Sequence, residues 1–188
     1  MMYTSEKEDF QKDYILERCF NCMVEMGVEN ISIRKFSSVT GMTASSLYYW
    51  FKDKDEIVIK STEYGMRKIV DSLMDIAHKT FDLDTFCEKF PEYAKEHSAP
   101  LRLIFQITTS PKYSKTIVPL SEGVTKRCDN LATELSNNLH IPYDELRAIL
   151  DLFTSALVDC IIWEEWDKFK REIEWMVRHI KKNLLNSA

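Results

Sequence analysis

Apolar residues recur at intervals of three and four positions along most of the chain, which is the spacing of amphipathic α-helices. Between residues 10 and 26 this spacing predicts one buried helical face. Its members are Phe10, Tyr14, Ile15, Leu16, Cys19, Phe20, Met23 and Val24. Gly27 follows directly and suits the end of the helix, because glycine tolerates the positive φ that a C-cap requires.

Two short helices and a long one are predicted next. Ser32 is placed to cap a helix that runs through Val39, and Gly41 breaks that helix. Thr43 can cap a second helix, which extends to Phe51. A long fourth helix then begins at Asp53 or Asp55. Its apolar positions are Ile57, Ile59, Met66, Ile69, Val70, Leu73 and Ala77.

The middle of the chain contains four prolines, which predict short helices there. They are Pro91, Pro100, Pro111 and Pro119. Two longer helices are predicted after Pro142. The first buries Leu146, Ile149, Leu150, Phe153, Leu157, Cys160 and Ile161. The second buries Phe169, Ile173, Met176, Val177, Ile180 and Leu184.

Composition supports an all-α protein. The 188 residues include only four glycines and five prolines, well below the roughly 12% expected, so hairpin-rich folds lack their usual turn residues. No apolar run approaches the length of about 18 residues that a membrane helix needs. The N-terminus is polar and acidic, unlike a signal peptide. We therefore expect a cytosolic protein with no membrane partner, whose five cysteines are reduced thiols.

No group of residues predicts catalysis, a cofactor or a metal site. Cys19 and Cys22 form a CxxC pair, but they share a helical face with apolar residues, which favours core packing over redox or zinc chemistry. The four histidines lie far apart, and neither a nucleophile elbow nor a glycine-rich phosphate loop is present. The sequence therefore does not predict an enzyme.

Residues 32–51 have the spacing of a helix-turn-helix, whose second helix enters the DNA major groove. The net charge of the chain is −5, yet no acidic residue lies between Glu29 and Asp53, as contact with phosphates requires. Small polar residues at the start of the second helix suit base edges and phosphates, and the flanking residues suit the phosphate backbone. The predicted DNA-binding residues are Arg34, Thr43, Ala44, Ser45, Ser46, Tyr48, Tyr49 and Lys54.

These same residues resemble the N-terminal domain of TetR-family transcriptional regulators. The resemblance depends on Gly41-Met42-Thr43 followed by Leu47-Tyr48, Phe51 and Lys54, and it covers residues from Ile15 to Ile57. Two positions depart from the family pattern: Trp50 stands where a histidine is common, and Phe36-Ser37 replaces an Ile-Ala pair. The second departure implies a locally repacked core.

The resemblance implies an all-helical homodimer that binds a palindromic double-stranded DNA operator and represses transcription until a ligand releases it. It divides the chain into a three-helix DNA-binding domain, residues 1–54, and a helical effector-binding and dimerisation domain, residues 55–188. Apolar residues of the middle helices are candidates for a pocket that binds a small apolar effector: Met74, Phe86, Phe90, Phe105 and Tyr113. Candidates for the dimer interface are Phe153, Leu157, Ile161, Ile173, Val177 and Ile180.

Two other functional classes stay open. The helix-turn-helix of a helical interaction module would bind a protein rather than DNA, although such a surface has no need to exclude acidic residues. A small helical enzyme with an apolar substrate would need a catalytic cluster, and the sequence has none.

Overall fold

The computed structural model describes residues 2–79, 83–120 and 122–182, and this part of the chain is helical without any strand. A 3-10 turn spans Val28–Asn30. The α-helices are α1 (Met2–Met26), α2 (Ile33–Thr40), α3 (Ala44–Trp50), α4 (Lys54–Lys79), α5 (Leu83–Glu96), α6 (Ser98–Thr109), α7 (Ser114–Leu120), α8 (Glu122–Leu139), α9 (Tyr143–Trp163) and α10 (Trp166–Ile180). The predicted all-α fold class is confirmed.

Local signals in the sequence account for several helix ends. Gly27 ends α1 with a φ of 76°, a conformation that glycine adopts without steric cost. Helix α4 begins at Lys54, between the two predicted starting positions. Asp53 caps it, because the Asp53 carboxylate accepts a hydrogen bond from the Glu56 backbone N–H at 2.8 Å.

The chain forms two compact units, and each draws on two separate stretches of sequence. Unit 1 comprises Met1–Ile69 and Ala99–Ser121, and unit 2 comprises Val70–Ser98 and Glu122–Ala188. Unit 1 therefore includes residues 54–69 of α4, nearly all of α6 and the whole of α7, in addition to the first three helices. The predicted boundary after residue 54 divides the chain by function, whereas these units divide it by packing, and the functional boundary stays a prediction.

Unit 1 is built around fully buried apolar side chains from each of its helices. Helix α1 packs against α2, and its Arg18 side chain donates a hydrogen bond to the Val39 carbonyl at 2.9 Å. Apolar side chains of this unit with no exposed surface are Ile15, Cys19, Met23, Phe36, Leu47, Ile57, Val58, Ile107 and Ile117. The CxxC thiols lie in this core, and burial raises the pKa of Cys19 to about 12.

Unit 2 has a core of aromatic and aliphatic residues from α5, α9 and α10. The Phe90 ring lies 5.9 Å from that of Phe169 and 6.3 Å from that of Phe153, between ring centroids. Most apolar positions predicted for α9 and α10 are buried; Ile149 and Leu150 are half-buried. The predicted position Leu184 lies outside the described residues.

The N-terminal turns of α1 contradict the predicted pattern. Phe10 is 78% exposed and Tyr14 45% exposed, so their assignment to the buried face is wrong. All side chains from residue 8 to residue 14 are exposed, and burial begins at Ile15. Helical periodicity marks an apolar face, but it cannot show where along the helix that face is covered by a neighbouring element.

The cysteines and helix lengths add two structural facts. All five cysteines are free thiols, and only Cys128 is not buried. None of the helices in the described ranges combines the length and apolar character that crossing a membrane requires.

Candidate nucleic-acid interface

Helix α2 and the turn after it are held by the residues that the sequence pattern indicated. Ser32 lies in an extended conformation, and its hydroxyl accepts a hydrogen bond from the Lys35 N–H at 3.3 Å. Gly41 ends the helix in the left-handed conformation, with a φ of 70°. This φ turns the chain sharply at a position where any other residue would be strained. The tight turn brings α3 into contact with α2.

Helix α3 is anchored at both ends and presents most of its surface outward. The Thr43 hydroxyl accepts a hydrogen bond from the Ser46 N–H at 3.1 Å and lies 2.9 Å from the Ser46 hydroxyl. Leu47 is completely buried, and Phe51, directly after the helix, is 2% exposed. These contacts fix a helix of seven residues, which is too short to be stable alone.

The outward surface of α3 is polar and aromatic. Tyr48 is 48% exposed, Tyr49 is 81% exposed, and Ser45 is exposed between the capping residues. Ala44 and Ser46 are half-buried, and Thr43 is exposed although its hydroxyl is used in the cap. Hydroxyls free to reach a ligand are therefore concentrated on Ser45, Tyr48 and Tyr49.

Basic residues flank α3 in the sequence. Arg34 and Lys52 are exposed, and Lys35 is half-buried. Two of the acidic residues that follow α3 have local roles: Asp53 caps α4, and the Glu56 carboxylate accepts a hydrogen bond from the Lys52 N–H at 2.6 Å. Their negative charge is thus partly neutralised by backbone donors and by the N-terminus of α4.

Lys54 has a structural contact that sequence reasoning missed. Its ammonium group donates a hydrogen bond to the Ile31 carbonyl at 3.0 Å, just before the start of α2. An ammonium group has three N–H donors, so one remains committed here and two can face a phosphate. No local pattern could reveal this contact, because 23 positions separate the two residues.

The departure from the family pattern at Phe36-Ser37 has a visible consequence in the core. Phe36 is fully buried, and the Ser37 hydroxyl is buried without a hydrogen-bond partner in the described structure. This unpaired hydroxyl fits the repacked core that the sequence predicts. The other departure, Trp50, is half-buried and packs edge-to-face against Tyr49, with 5.6 Å between ring centroids.

The predicted effector-pocket residues are distributed over both units. Phe105 is half-buried and Tyr113 buried in unit 1, whereas Met74 is half-buried and Phe90 buried in unit 2. The side chain of Phe86 lies outside the described residues. Tyr113 also has a polar role, because its hydroxyl donates a hydrogen bond to the Asp55 carboxylate at 3.0 Å. A single pocket that contains all five residues stays a prediction.

The predicted dimer-interface residues lie in the core of the single chain. Their exposed fractions range from 0% for Ile173 to 8% for Leu157, and they are Phe153, Leu157, Ile161, Ile173, Val177 and Ile180. A side chain buried by its own chain offers little surface to another copy; the assignment of these six residues to a dimer interface stays a prediction. The same two helices expose different apolar residues: Leu152 (56%), Ile162 (54%), Trp163 (67%) and Trp175 (58%).

Solved structures of transcriptional regulators share this fold along nearly their whole length. A TetR/AcrR-family regulator from Aquifex aeolicus VF5 is 18% identical, with a TM-score of 0.61, and the match covers 91% of this chain and 98% of that one. The fatty acid degradation regulator FadR from Bacillus halodurans is 16% identical, with a TM-score of 0.63 and coverage of 92% and 95%.

A third similar structure is a TetR transcriptional regulator from Rhodococcus sp. RHA1, which is 13% identical, with a TM-score of 0.55 and coverage of 95% and 99%. No protein-family model and no curated protein matches the sequence. The chain therefore has the all-helical fold of these regulators.

Proposed function

We propose that this chain, which has the fold of TetR/AcrR-family regulators, is a sequence-specific DNA-binding transcriptional regulator. The observation that carries the proposal is the outward surface of α3: exposed hydroxyls on a helix fixed by caps, in a stretch of sequence without acidic residues. A helix N-terminus with free hydroxyls and basic neighbours matches the phosphates and base edges of a major groove. The similar structures are regulators rather than enzymes, which supports the same conclusion.

Each residue of the interface has a proposed role. Ser45 and the half-buried Ala44 and Ser46 approach bases, because their short side chains let the helix enter the groove. Arg34, Tyr48 and Tyr49 bind the flanking phosphates and fix the register, because these contacts carry no sequence information of their own. Thr43 and Lys54 combine a contact to DNA with the structural hydrogen bonds already described. We expect such a regulator to act in the cytosol, where its DNA operator lies.

The regulator is proposed to act as a homodimer on a palindrome. Two recognition helices reach successive major grooves when they are about 34–36 Å apart. The surface best suited to a second copy is the exposed apolar part of α9 and α10. Leu152 and Trp163 lie about three helical turns apart and hence on the same face of α9, beside Ile162. Exposed Trp175 adds an aromatic residue of the type enriched at interfaces.

Repression and release by a small apolar effector complete the proposal. The effector would be apolar because the predicted pocket residues are aromatic or sulfur-containing and at least half-buried wherever their side chains are described. Its binding would shift the dimer toward a spacing that no longer fits the operator.

The first experiment is selection from a random pool of DNA duplexes with the purified protein, followed by sequencing. We expect enrichment of a palindrome with half-sites about one helical turn apart. A pool that stays random, from a protein that is helical and dimeric, would contradict the DNA-binding proposal. The alternative function, a helical module that binds a protein rather than DNA, would then be favoured.

Variants of the interface sharpen this test. Arg34→Ala should weaken binding to every duplex and reduce the slope of log affinity against log salt concentration by about 1, the effect of one lost phosphate contact. Ser45→Ala should instead alter the preferred sequence. Lys170→Ala is the matched control, because it removes one exposed positive charge from α10 in unit 2. If Lys170→Ala reduces the slope as much as Arg34→Ala, the proposed location of the interface is wrong.

A further inference from the structure

The first turn of α4 is bound to the helix-turn-helix by two charged side chains. The Lys54 ammonium group donates to the Ile31 carbonyl at 3.0 Å, directly before the Ser32 cap of α2. The Glu56 carboxylate accepts from the N–H of Lys52, the second residue after α3, at 2.6 Å. One helical turn therefore fixes the entry to α2 and the exit from α3.

Between these two residues, Asp55 binds a distant segment of the chain. Its carboxylate oxygen Oδ1 accepts hydrogen bonds from the Lys112 ammonium group at 2.6 Å and from the Tyr113 hydroxyl at 3.0 Å. The Lys112 nitrogen also lies 4.9 Å from the centroid of the Tyr113 ring. The hydrogen bond from Lys112 lowers the pKa of Asp55 more than any other contact, so the carboxylate stays charged at neutral pH.

The segment that holds Asp55 is itself well anchored. The Tyr113 N–H donates to the Ser110 carbonyl at 3.1 Å, and the Lys112 N–H donates to the Ser110 hydroxyl at 3.3 Å. The Tyr113 side chain is 6% exposed, and Ile117 of α7 has no exposed surface. The turn between α6 and α7, residues 110–113, is thus a fixed support within unit 1.

We infer that Asp55, Lys112 and Tyr113 are positioning residues for the DNA-binding surface, and that the 110–113 turn is a working part of the DNA-binding unit. The first turn of a helix moves as one body because its backbone is hydrogen-bonded. Whatever holds Asp55 therefore also sets where Lys54 and Glu56 hold α2 and α3. This inference rests on the proposed function.

The ion pair between Lys112 and Asp55 would not by itself hold the first turn of α4 in position. The side chains of Lys112 and Asp55 are 56% and 43% exposed, and such pairs contribute little by themselves. The additional restraint comes from Tyr113, because its hydroxyl donates a charge-assisted hydrogen bond to Asp55 from a buried, fixed ring. Tyr113→Phe removes that hydrogen bond while the ring can remain in place, and it leaves the net charge unchanged.

The test combines operator binding with hydrogen exchange of the full-length protein. We expect Tyr113→Phe and Asp55→Asn to lower affinity for the selected operator by about threefold to tenfold, the size of the typical net contribution of one hydrogen bond. The salt slope of Tyr113→Phe should equal that of the wild type, because no phosphate contact is lost. Without DNA, backbone amides of residues 31–51 should exchange faster in both variants.

Two further variants serve as controls. Lys115→Met removes an exposed charge on α7 and should leave exchange in residues 31–51 unchanged. Lys112→Arg keeps a cation that can reach Asp55 and should retain the wild-type protection, whereas Lys112→Met keeps only the Tyr113 hydrogen bond and should lose less protection than Tyr113→Phe.

Exchange that rises only around residues 110–120, or operator affinity equal to that of the wild type, would overturn the inference. Failure of the proposed function has a different signature: the wild type itself would enrich no DNA sequence. The exchange measurement then still decides whether the 110–113 turn supports α2 and α3, because it needs no DNA.

Discussion

Gly65 allows α4 to approach α1 more closely than any other residue would. A Cβ atom added at Gly65 would lie 2.3 Å from Cε2 and Cζ of Phe20 and 2.7 Å from Cδ2. Carbon atoms in favourable contact are about 3.5–4.0 Å apart, so Gly65→Ala requires a displacement of roughly 1 Å. The Phe20 ring is only 6% exposed and packed in the core of unit 1, which leaves it little room to move.

Two opposing terms set the size of the effect. Alanine is a better helix former than glycine by about 1 kcal/mol. An extra methyl group in a packed core costs about 1–3 kcal/mol, and the short contact distances place this site toward the upper end of that range. We therefore expect Gly65→Ala to reduce the free energy of unfolding by about 1–2 kcal/mol.

Gly123 provides the matched comparison. It lies in the first turn of α8, and a Cβ atom built there meets nothing within 4 Å. The same Gly→Ala exchange should therefore leave stability unchanged or raise it by up to about 1 kcal/mol. Urea unfolding followed by circular dichroism measures both variants through their midpoints and slopes.

The clash can also be isolated by a double-mutant cycle. Phe20→Leu removes the ring atoms that the new methyl group would meet. In that background Gly65→Ala should be less destabilising than in the wild type by about 1 kcal/mol or more. The reasoning is refuted if Gly65→Ala stabilises the protein as much as Gly123→Ala, or if Phe20→Leu leaves its effect unchanged.

Three further predictions concern single groups. Ser61 is fully buried on α4, and its hydroxyl is without a hydrogen-bond partner in the described structure. Ser61→Ala should therefore raise the free energy of unfolding, measured by urea denaturation, by up to about 1 kcal/mol. A loss of stability would indicate that the hydroxyl has a partner after all. The folded-state pKa of Asp55 is lowered chiefly by the hydrogen bond from Lys112. The contribution of the Asp55 carboxylate to stability is therefore complete above the unfolded-state pKa of about 3.9, and it is lost as the pH falls through the lower folded-state value. The stability difference between the wild type and Asp55→Asn should therefore be constant from about pH 7 to 5 and shrink below about pH 4; a difference that grows on acidification would contradict this sign. Burial raises the pKa of Cys19 to about 12. A thiol reagent at neutral pH should therefore label half-buried Cys128 first and Cys19 only after unfolding. Rapid labelling of Cys19 in the folded protein would show that the core of unit 1 opens.

The helix-turn-helix was predictable almost residue by residue. Ser32, Gly41 and Thr43 have the roles that their positions indicated, because caps and tight turns depend on hydrogen bonds between residues three or four positions apart. The exposed hydroxyls of α3 follow from the same argument. The hydrogen bond from Lys54 to the Ile31 carbonyl could not be predicted in this way, because 23 positions separate the two residues.

The apolar pattern predicted helices better than it predicted surfaces. On α1 it correctly identified Ile15 and Cys19 as buried but wrongly included Phe10 and Tyr14. Periodicity gives the face of a helix that is apolar, whereas burial also requires a neighbouring element along that length. Periodicity also gave no sign that the Tyr113 hydroxyl binds Asp55 across 58 positions of sequence; the role of Tyr113 in an effector pocket stays a prediction.

The sequence by itself determined the first four and the last two helices, the caps at Ser32 and Thr43, the tight turn at Gly41 and the acid-free stretch around α3; it did not predict the 18-residue α8. All of these arise from interactions within a few residues or from charge alone. Tertiary structure decided which apolar side chains of α9 and α10 are internal, such as Phe153, and which are external, such as Trp163. It also brought Asp55 to the 110–113 turn. These outcomes depend on contacts between distant segments, and only the folded chain brings those segments together.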